Sequence, residues 1–69
     1  MSLIYEKILK QIPKKYHKFL NDISLEYDLI DDCKYLIHFS PNTMVFGEQM
    51  QSYPVKSVKE IINVLRNAK

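Results

Sequence analysis

Hydrophobic and polar positions in the first 23 residues repeat with the period of an α-helix. At about 100° per residue, one broad sector holds the apolar side chains Tyr5, Ile8, Leu9, Ile12, Tyr16, Phe19, Leu20 and Ile23. The opposite sector holds Lys7, Lys10, Lys14 and Lys18. Pro13 lies within this stretch, and proline removes a helical hydrogen bond. The pattern therefore predicts either one helix kinked at Pro13 or two short helices, the second beginning at Pro13.

From Ile23 the period of the pattern changes to two, which is typical of a half-buried strand. Apolar Leu25, Tyr27 and Leu29 alternate with polar Ser24, Glu26 and Asp28. Alternation returns in residues 34–39, with Tyr35, Ile37 and Phe39 on one side. Residues 30–33 between the two runs are acidic and read as a turn, so the sequence predicts an antiparallel hairpin.

A second turn over residues 40–43 is followed by a third predicted strand that begins at Met44. Gly47 indicates either a bulge or a tight turn into a short fourth strand that runs from Met50 to Tyr53. We expect Pro54 to end the sheet, because proline has no N–H to donate to a neighbouring strand.

The last segment has the pattern of an amphipathic helix with a capping box. Ser57 is the expected N-cap, and Glu60 follows three residues later. The apolar stripe consists of Val58, Ile61, Ile62, Leu65 and Ala68. The predicted fold is therefore a single α+β domain over residues 1–69, with the order α-β-β-β-α, a three- to four-stranded antiparallel sheet and both helices on one sheet face.

Composition is consistent with a small globular protein of the cytoplasm. Of the 69 residues, 46% are hydrophobic and 26% are charged, and Cys33 is the only cysteine. Secreted domains of this size usually carry several disulfides, so a reducing compartment is expected. Charge interrupts the opening segment before a signal-peptide core develops, and no run approaches the ~18 apolar residues of a membrane span. The bias towards Ile, Lys, Tyr and Asn, with a single alanine, indicates a low-GC source such as a phage or mobile element.

Residues suited to catalysis or metal binding are few. Cys33 and His38 are five positions apart, and strand alternation places them on opposite faces if they share a strand. Asp31 and Asp32 precede Cys33, but the paired Cys and His spacings of a zinc site are missing. The single glycine cannot build a phosphate-binding loop. We therefore expect a protein without catalytic, cofactor-binding or metal sites.

Charge is segregated along the chain, and this segregation leads to the functional hypothesis. Residues 1–20 carry a balance of +4, residues 21–33 one of −5 and residues 34–69 one of +3. We expect the uncovered sheet face to be acidic and apolar and to bind a protein partner, as a regulator or inhibitor. The predicted contact residues are Glu26, Asp28, Leu36, His38, Val45 and Tyr53. The same face is also suited to closing a homodimer.

The alternative hypothesis is a nucleic-acid-binding domain. Its contact residues are the lysines of the predicted helical stripe: Lys7, Lys10, Lys14 and Lys18. Lysines along one face neutralise phosphates by counterion release, so this binding weakens as salt rises. Arginine, which contacts phosphates and bases through two hydrogen bonds at once, is missing from the stripe.

Overall fold

A computed structural model describes residues 3–27, 29–30 and 32–69 of the chain. It begins with helix α1 (Leu3–Leu9) and a 3₁₀ helix (Lys14–Phe19). Five strands follow: β1 (Leu20–Leu25), β2 (Tyr35–Phe39), β3 (Met44–Val45), β4 (Glu48–Gln49) and β5 (Ser52–Val55). Helix α2 (Val58–Leu65) closes the described chain. The predicted α+β fold, with a helix at each end of an antiparallel sheet, is confirmed.

The N-terminal helical stretch is broken at Pro13 rather than kinked. Helix α1 ends at Leu9, and the chain resumes beyond Pro13 as a 3₁₀ helix whose first turn is closed by the Tyr16 N–H donating to the Pro13 carbonyl. The expected helix to residue 23 is wrong in its last turn, because β1 already begins at Leu20. A bulge between Leu20 and Asp22 shifts the strand alternation. Leu20 and Ile23 are therefore both buried at a spacing of three, which imitates a helical stripe.

The main sheet has three antiparallel strands in the order β1-β2-β5. Ile23, Ile37 and Tyr53 lie opposite one another across its core face. Strand β1 ends at Leu25, which pairs with Tyr35, so the first strand does not continue to residue 29 as predicted. The connection is correspondingly longer than the expected turn over residues 30–33, and its positions 28 and 31 lie outside the described residues.

Strands β3 and β4 form a separate two-stranded hairpin. The two residues between them, Phe46 and Gly47, have φ values of 53° and 78°. Positive φ at both central positions is the type I′ geometry that matches strand twist, so Gly47 marks a tight turn. The hairpin also holds the end of the chain, because the N–H and carbonyl groups of Met44 bond to the carbonyl and N–H of Lys69.

The third strand of the main sheet is β5, and Pro54 lies inside it instead of ending the sheet. Phe39 donates its N–H to the Gln51 carbonyl. Alternation along the strand then directs the backbone groups of Gln51, Tyr53 and Val55 towards β2 and the backbone nitrogen of Pro54 towards the outer edge. Proline is tolerated there because an edge position needs no donor.

The opposite edge, that of β1, is closed by a side chain. Glu26 donates its N–H to the Lys34 carbonyl across the hairpin, so alternation turns the Ile23 N–H to the outside. Asp22 Oδ1 accepts that N–H at 2.8 Å. Both edges of the main sheet therefore lack a donor that an edge strand normally exposes.

The expected C-terminal helix and its cap are confirmed. Ser57 is the N-cap, and its Oγ accepts the Glu60 N–H at 3.3 Å. Glu60 Oε2 reaches back to the Lys56 N–H at 2.8 Å, one residue earlier than in a regular capping box.

The core lies between one face of the sheet and the two helices. Its fully buried side chains are Ile23, Ile37, Val45, Ile61 and Leu65. Ile8 and Ile12 from the N-terminal segment and Val64 from α2 join the same cluster. The helices therefore cover one face, and the outer face carries Asp22, Ser24, Leu36, His38, Ser52 and Pro54.

Candidate functional site

The outer sheet face contains two of the six residues predicted to bind a protein. Leu36 and His38 lie on β2 with their side chains half-buried, opposite Ser24 and Asp22 of β1. His38 Nε2 is 2.9 Å from Ser24 Oγ, so a cross-strand hydrogen bond fixes the imidazole against the sheet. With one aliphatic side chain and one carboxylate among its six residues, this face is less apolar and less acidic than expected.

Val45 and Tyr53 do not belong to this face, and their predicted position is wrong. Val45 is 0% exposed, because its bridge to Ala68 draws β3 onto the core. Tyr53 pairs with Ile37 and lies on the core side of the sheet. The register after Gly47 decides the position of Tyr53, whereas the position of Val45 depends on its bridge to the distant Ala68.

Glu26 is exposed as expected, but it lies in the connection after β1 and not on the sheet face. Asp28, also predicted to bind, lies outside the described residues. The predicted contact residues are thus distributed over three places: the outer face, the core and the connection.

The end of β1 and the connection that follows it carry the large apolar side chains with the highest exposed fractions among the described residues. Their exposed fractions are 53% for Leu25, 74% for Tyr27, 92% for Leu29 and 90% for Ile30. The same stretch of sequence contains Glu26, Asp28, Asp31 and Asp32 and no basic residue. We call residues 25–32 the acidic-apolar loop. Sequence reasoning missed this exposed apolar group, because Tyr27 and Leu29 alternate with acidic residues as they would in a strand.

The base of the acidic-apolar loop is fixed to the sheet. Cys33 is buried, and its thiol donates to the Tyr35 carbonyl at 3.1 Å and lies 3.8 Å from the Val55 carbonyl. Lys34 donates its N–H to Val55 and accepts the Glu26 N–H through its carbonyl. Cys33 therefore has a structural role, since it fixes the base of the loop to the sheet.

Two cavities open elsewhere on the surface. A groove of about 760 Å³ at the far end of β2 is lined mainly by uncharged polar residues: Asn21, His38, Phe39, Ser40, Pro41, Asn42, Gln49, Met50 and Gln51. A cleft of about 320 Å³ lies between the β3–β4 turn, β5 and α2. We call it the aromatic cleft, and its lining residues are Phe46, Tyr53, Pro54, Val55, Glu60, Asn63, Val64 and Asn67.

The lysines of the alternative hypothesis are all exposed, namely Lys7, Lys10, Lys14 and Lys18. The break at Pro13 divides them between α1 with its following turn and the 3₁₀ helix, so they do not follow one continuous helix. Lys18 Nζ lies 5.1 Å from the centroid of the Phe19 ring, and Lys15 Nζ lies 5.1 Å from that of Tyr16. Each of these ammonium groups is thus within cation–π distance of the adjacent ring.

One ionisable group of the described chain has a displaced pKa. Burial raises the pKa of the Tyr5 phenol above its usual 10.0, and the negative charge of Asp22 raises it further.

Among the residues that the structure describes, no three His, Cys, Asp or Glu side chains come together to hold a metal ion.

Comparison with known proteins assigns no family. No family model, curated protein or solved structure matches this chain. None of the helices in the described ranges has the length and apolar character needed to cross a bilayer.

Proposed function

We propose that this protein is a non-enzymatic interaction domain that binds a protein partner through the acidic-apolar loop. The supporting observation is the exposure of Leu25 at the end of β1 and of Tyr27, Leu29 and Ile30 in the connection that follows it. Single exposed apolar side chains are ordinary, whereas a contiguous group marks an interaction site. The proposal keeps the predicted function and moves its site from the sheet face to the adjoining loop.

Burial of this loop supplies the binding energy in the proposal. A large aliphatic or aromatic side chain contributes roughly 1.5–3 kcal/mol when it passes from full exposure to full burial. Leu29 and Ile30 are nearly fully exposed and therefore have the most to gain. The hydrogen bonds of Cys33 and Lys34 hold the loop base, which limits the entropy lost when the loop is ordered against a partner.

The charge of the loop defines the chemistry of the partner. Four carboxylates without a basic residue surround the apolar side chains in the sequence of residues 25–32. The complementary surface is an apolar recess with lysine or arginine at its rim. Such charge pairs accelerate association and lose their effect as salt rises, whereas the apolar contacts do not.

The test compares a loop variant with a matched surface variant. Leu29→Ser combined with Ile30→Ser removes the two most exposed apolar side chains, and Met44→Ser removes an exposed apolar side chain of the β3–β4 hairpin. Each of the three chains is used to capture proteins from the native extract. We then purify the proteins that bind the unaltered chain and Met44→Ser but not the loop variant. Their affinities for all three chains are then measured by titration calorimetry.

We expect the purified partner to bind the unaltered chain and Met44→Ser equally and the loop variant at least about tenfold more weakly. Equal binding to the loop variant would place the interface elsewhere. Sedimentation of the unaltered chain and the loop variant tests the second possibility, a homodimer. A dimer that dissociates when the loop is substituted would assign the loop to self-association and contradict binding to a different protein.

Nucleic-acid binding is the alternative proposal, and the exposure of all four named lysines supports it. Its test is a salt titration of mixed DNA and RNA binding with Lys10→Glu combined with Lys14→Glu. Steeply salt-dependent binding that the double substitution removes supports this function, and no association at low salt excludes it.

A further inference from the structure

We infer that the aromatic cleft binds the guanidinium group of an arginine side chain presented by a peptide or protein. This site is separate from the described part of the acidic-apolar loop, since residues 25–27, 29–30 and 32 do not line the cleft. The inference holds whether or not the loop binds a partner.

The first observation is the backbone of Phe46. This residue occupies the first central position of a type I′ turn with φ at 53°, where Asn, Asp or Gly is normally found. A bulky side chain in the left-handed region is energetically costly. Phe46 is 51% exposed, so core burial alone does not offset that cost. An aromatic ring kept at such a position, on the wall of a cleft, is the pattern of a recognition residue.

The second observation is the arrangement of the two rings. The centroids of Phe46 and Tyr53 are 5.8 Å apart, and the ring planes are tilted by 51°. Val55 and Val64 are buried and lie in the same lining. Both rings line the cleft beside these valines, and the π-face of an aromatic ring attracts a weakly hydrated cation such as guanidinium.

The third observation is the charge of the lining. Glu60 is the only charged residue among the eight that line the cleft. The Lys56 N–H donates to its Oε2 at 2.8 Å, which holds the carboxylate in place at the start of α2. A carboxylate has two oxygens with several acceptor positions, so Glu60 retains capacity for the N–H groups of a guanidinium.

These features together select one chemical class of ligand. An anion is repelled by Glu60 and by the π-faces, and a purely aliphatic group leaves Glu60 without a new partner. An ammonium group satisfies the charge, but it cannot stack on a ring as a planar guanidinium does.

The binding test uses small probes of one shape. Backbone amide NMR shifts are followed during titration with N-acetyl-arginine methylamide and, as the uncharged isostere, N-acetyl-citrulline methylamide. We expect shifts concentrated at positions 46, 53, 60, 63 and 67, with the citrulline probe binding about tenfold more weakly. Equal binding of the two probes, or shifts concentrated away from the cleft, would overturn the inference. A lysine probe that binds as well as the arginine probe would also overturn it.

Two substitutions connect the binding to the named groups. Glu60→Gln keeps an oxygen to accept the Lys56 N–H but removes the charge, and Phe46→Asn removes the ring at a position that favours asparagine. Each should weaken binding of the arginine probe at least about fivefold, while Met44→Ser in the same hairpin leaves it unchanged. Undiminished binding to a folded Glu60→Gln variant would refute the assignment, even if Phe46→Asn failed to fold.

Discussion

His17 Nε2 lies 2.8 Å from the carbonyl oxygen of Ile12 and 3.1 Å from that of Leu9, so one imidazole spans the break at Pro13. The carbonyls at the end of a helix lack partners within the helix, and Pro13 prevents the chain from continuing to supply them. His17 in the 3₁₀ helix donates to them instead. This contact fixes α1 relative to the 3₁₀ helix and keeps Ile12 in the core.

Replacing His17 with alanine should therefore lower the free energy of unfolding. We expect a loss of about 1–3 kcal/mol in urea denaturation, since the partly buried Ile12 carbonyl loses the His17 donor, while the Leu9 carbonyl keeps the Ile12 N–H. Lys14→Ala in the same 3₁₀ helix is exposed and should change the free energy by no more than about 0.5 kcal/mol. Equal effects of the two substitutions would show that the His17 contact contributes no stability.

Glutamate substitutions at Val45 and Leu36 should have opposite outcomes for the fold. Val45→Glu places a carboxylate at a fully buried position without a partner and should prevent folding. Leu36→Glu lies on the uncovered sheet face, where the carboxylate reaches water, and should leave the chain folded. Near-ultraviolet circular dichroism and amide dispersion in NMR spectra distinguish these outcomes. A folded Val45→Glu variant would contradict the burial of β3.

Gly47→Ala should destabilise the hairpin through the backbone alone. No atom lies within 4 Å of a Cβ at this position, so the added methyl meets no steric obstacle. The cost comes from φ at 78°, which disfavours an L side chain by about 1–2 kcal/mol. Gly47→Asn should cost less, because asparagine tolerates this region. Thermal unfolding measures both variants, and an alanine variant as stable as the unaltered chain would argue against the type I′ turn.

The raised pKa of Tyr5 predicts a loss of stability in alkaline solution. The unfolded phenol ionises near 10.0, whereas burial and the Asp22 charge let the native phenol keep its proton to higher pH. The stabilising contribution is therefore complete below pH 10.0 and declines as pH rises through the native pKa. Urea denaturation between about pH 9 and 11.5 should show a steeper decline for the unaltered chain than for Tyr5→Phe.

A companion measurement separates the two causes of the Tyr5 shift. Asp22→Asn removes the charge while keeping an oxygen for the Ile23 N–H. The NMR titration of the Tyr5 ring in this variant should give a pKa below that of the unaltered chain but still above 10.0, because burial is the larger cause. An equal Tyr5 pKa in the two chains would show that the charge of Asp22 does not affect the phenol.

Local signals in the sequence were sufficient for some elements. The N-cap at Ser57 and one of the two alternatives at Gly47, a tight turn, depend on neighbouring residues, and the structure has both. The strand after that turn is Glu48–Gln49 instead of the predicted Met50 to Tyr53. The helix predicted around Leu20 is wrong, because a bulge in β1 gives its buried residues the spacing of a helical stripe. The prediction that Pro54 ends the sheet is wrong, because proline is excluded only from positions that donate to a neighbouring strand.

Tertiary pairing decided the candidate site, and the period of the pattern could not reveal it. Tyr27 and Leu29 have the alternation of a strand, but β2 begins at Tyr35 and pairs with Leu25, so they have no strand opposite them. Val45 is buried through contacts with the distant residue Ala68. Local alternation predicts Glu26, Leu36 and His38 away from the core, and in the structure Glu26 is exposed while Leu36 and His38 are half-buried.

Each edge of the main sheet has one outward position without a free amide hydrogen, which affects how copies of this protein can associate. Fibril growth requires a strand whose amide hydrogens are open to the next chain. Asp22 occupies the outward amide hydrogen of Ile23, and Pro54 has none to offer. Growth of a fibril from either edge would therefore lose one ladder hydrogen bond at that position, which lowers the tendency of folded chains to stack.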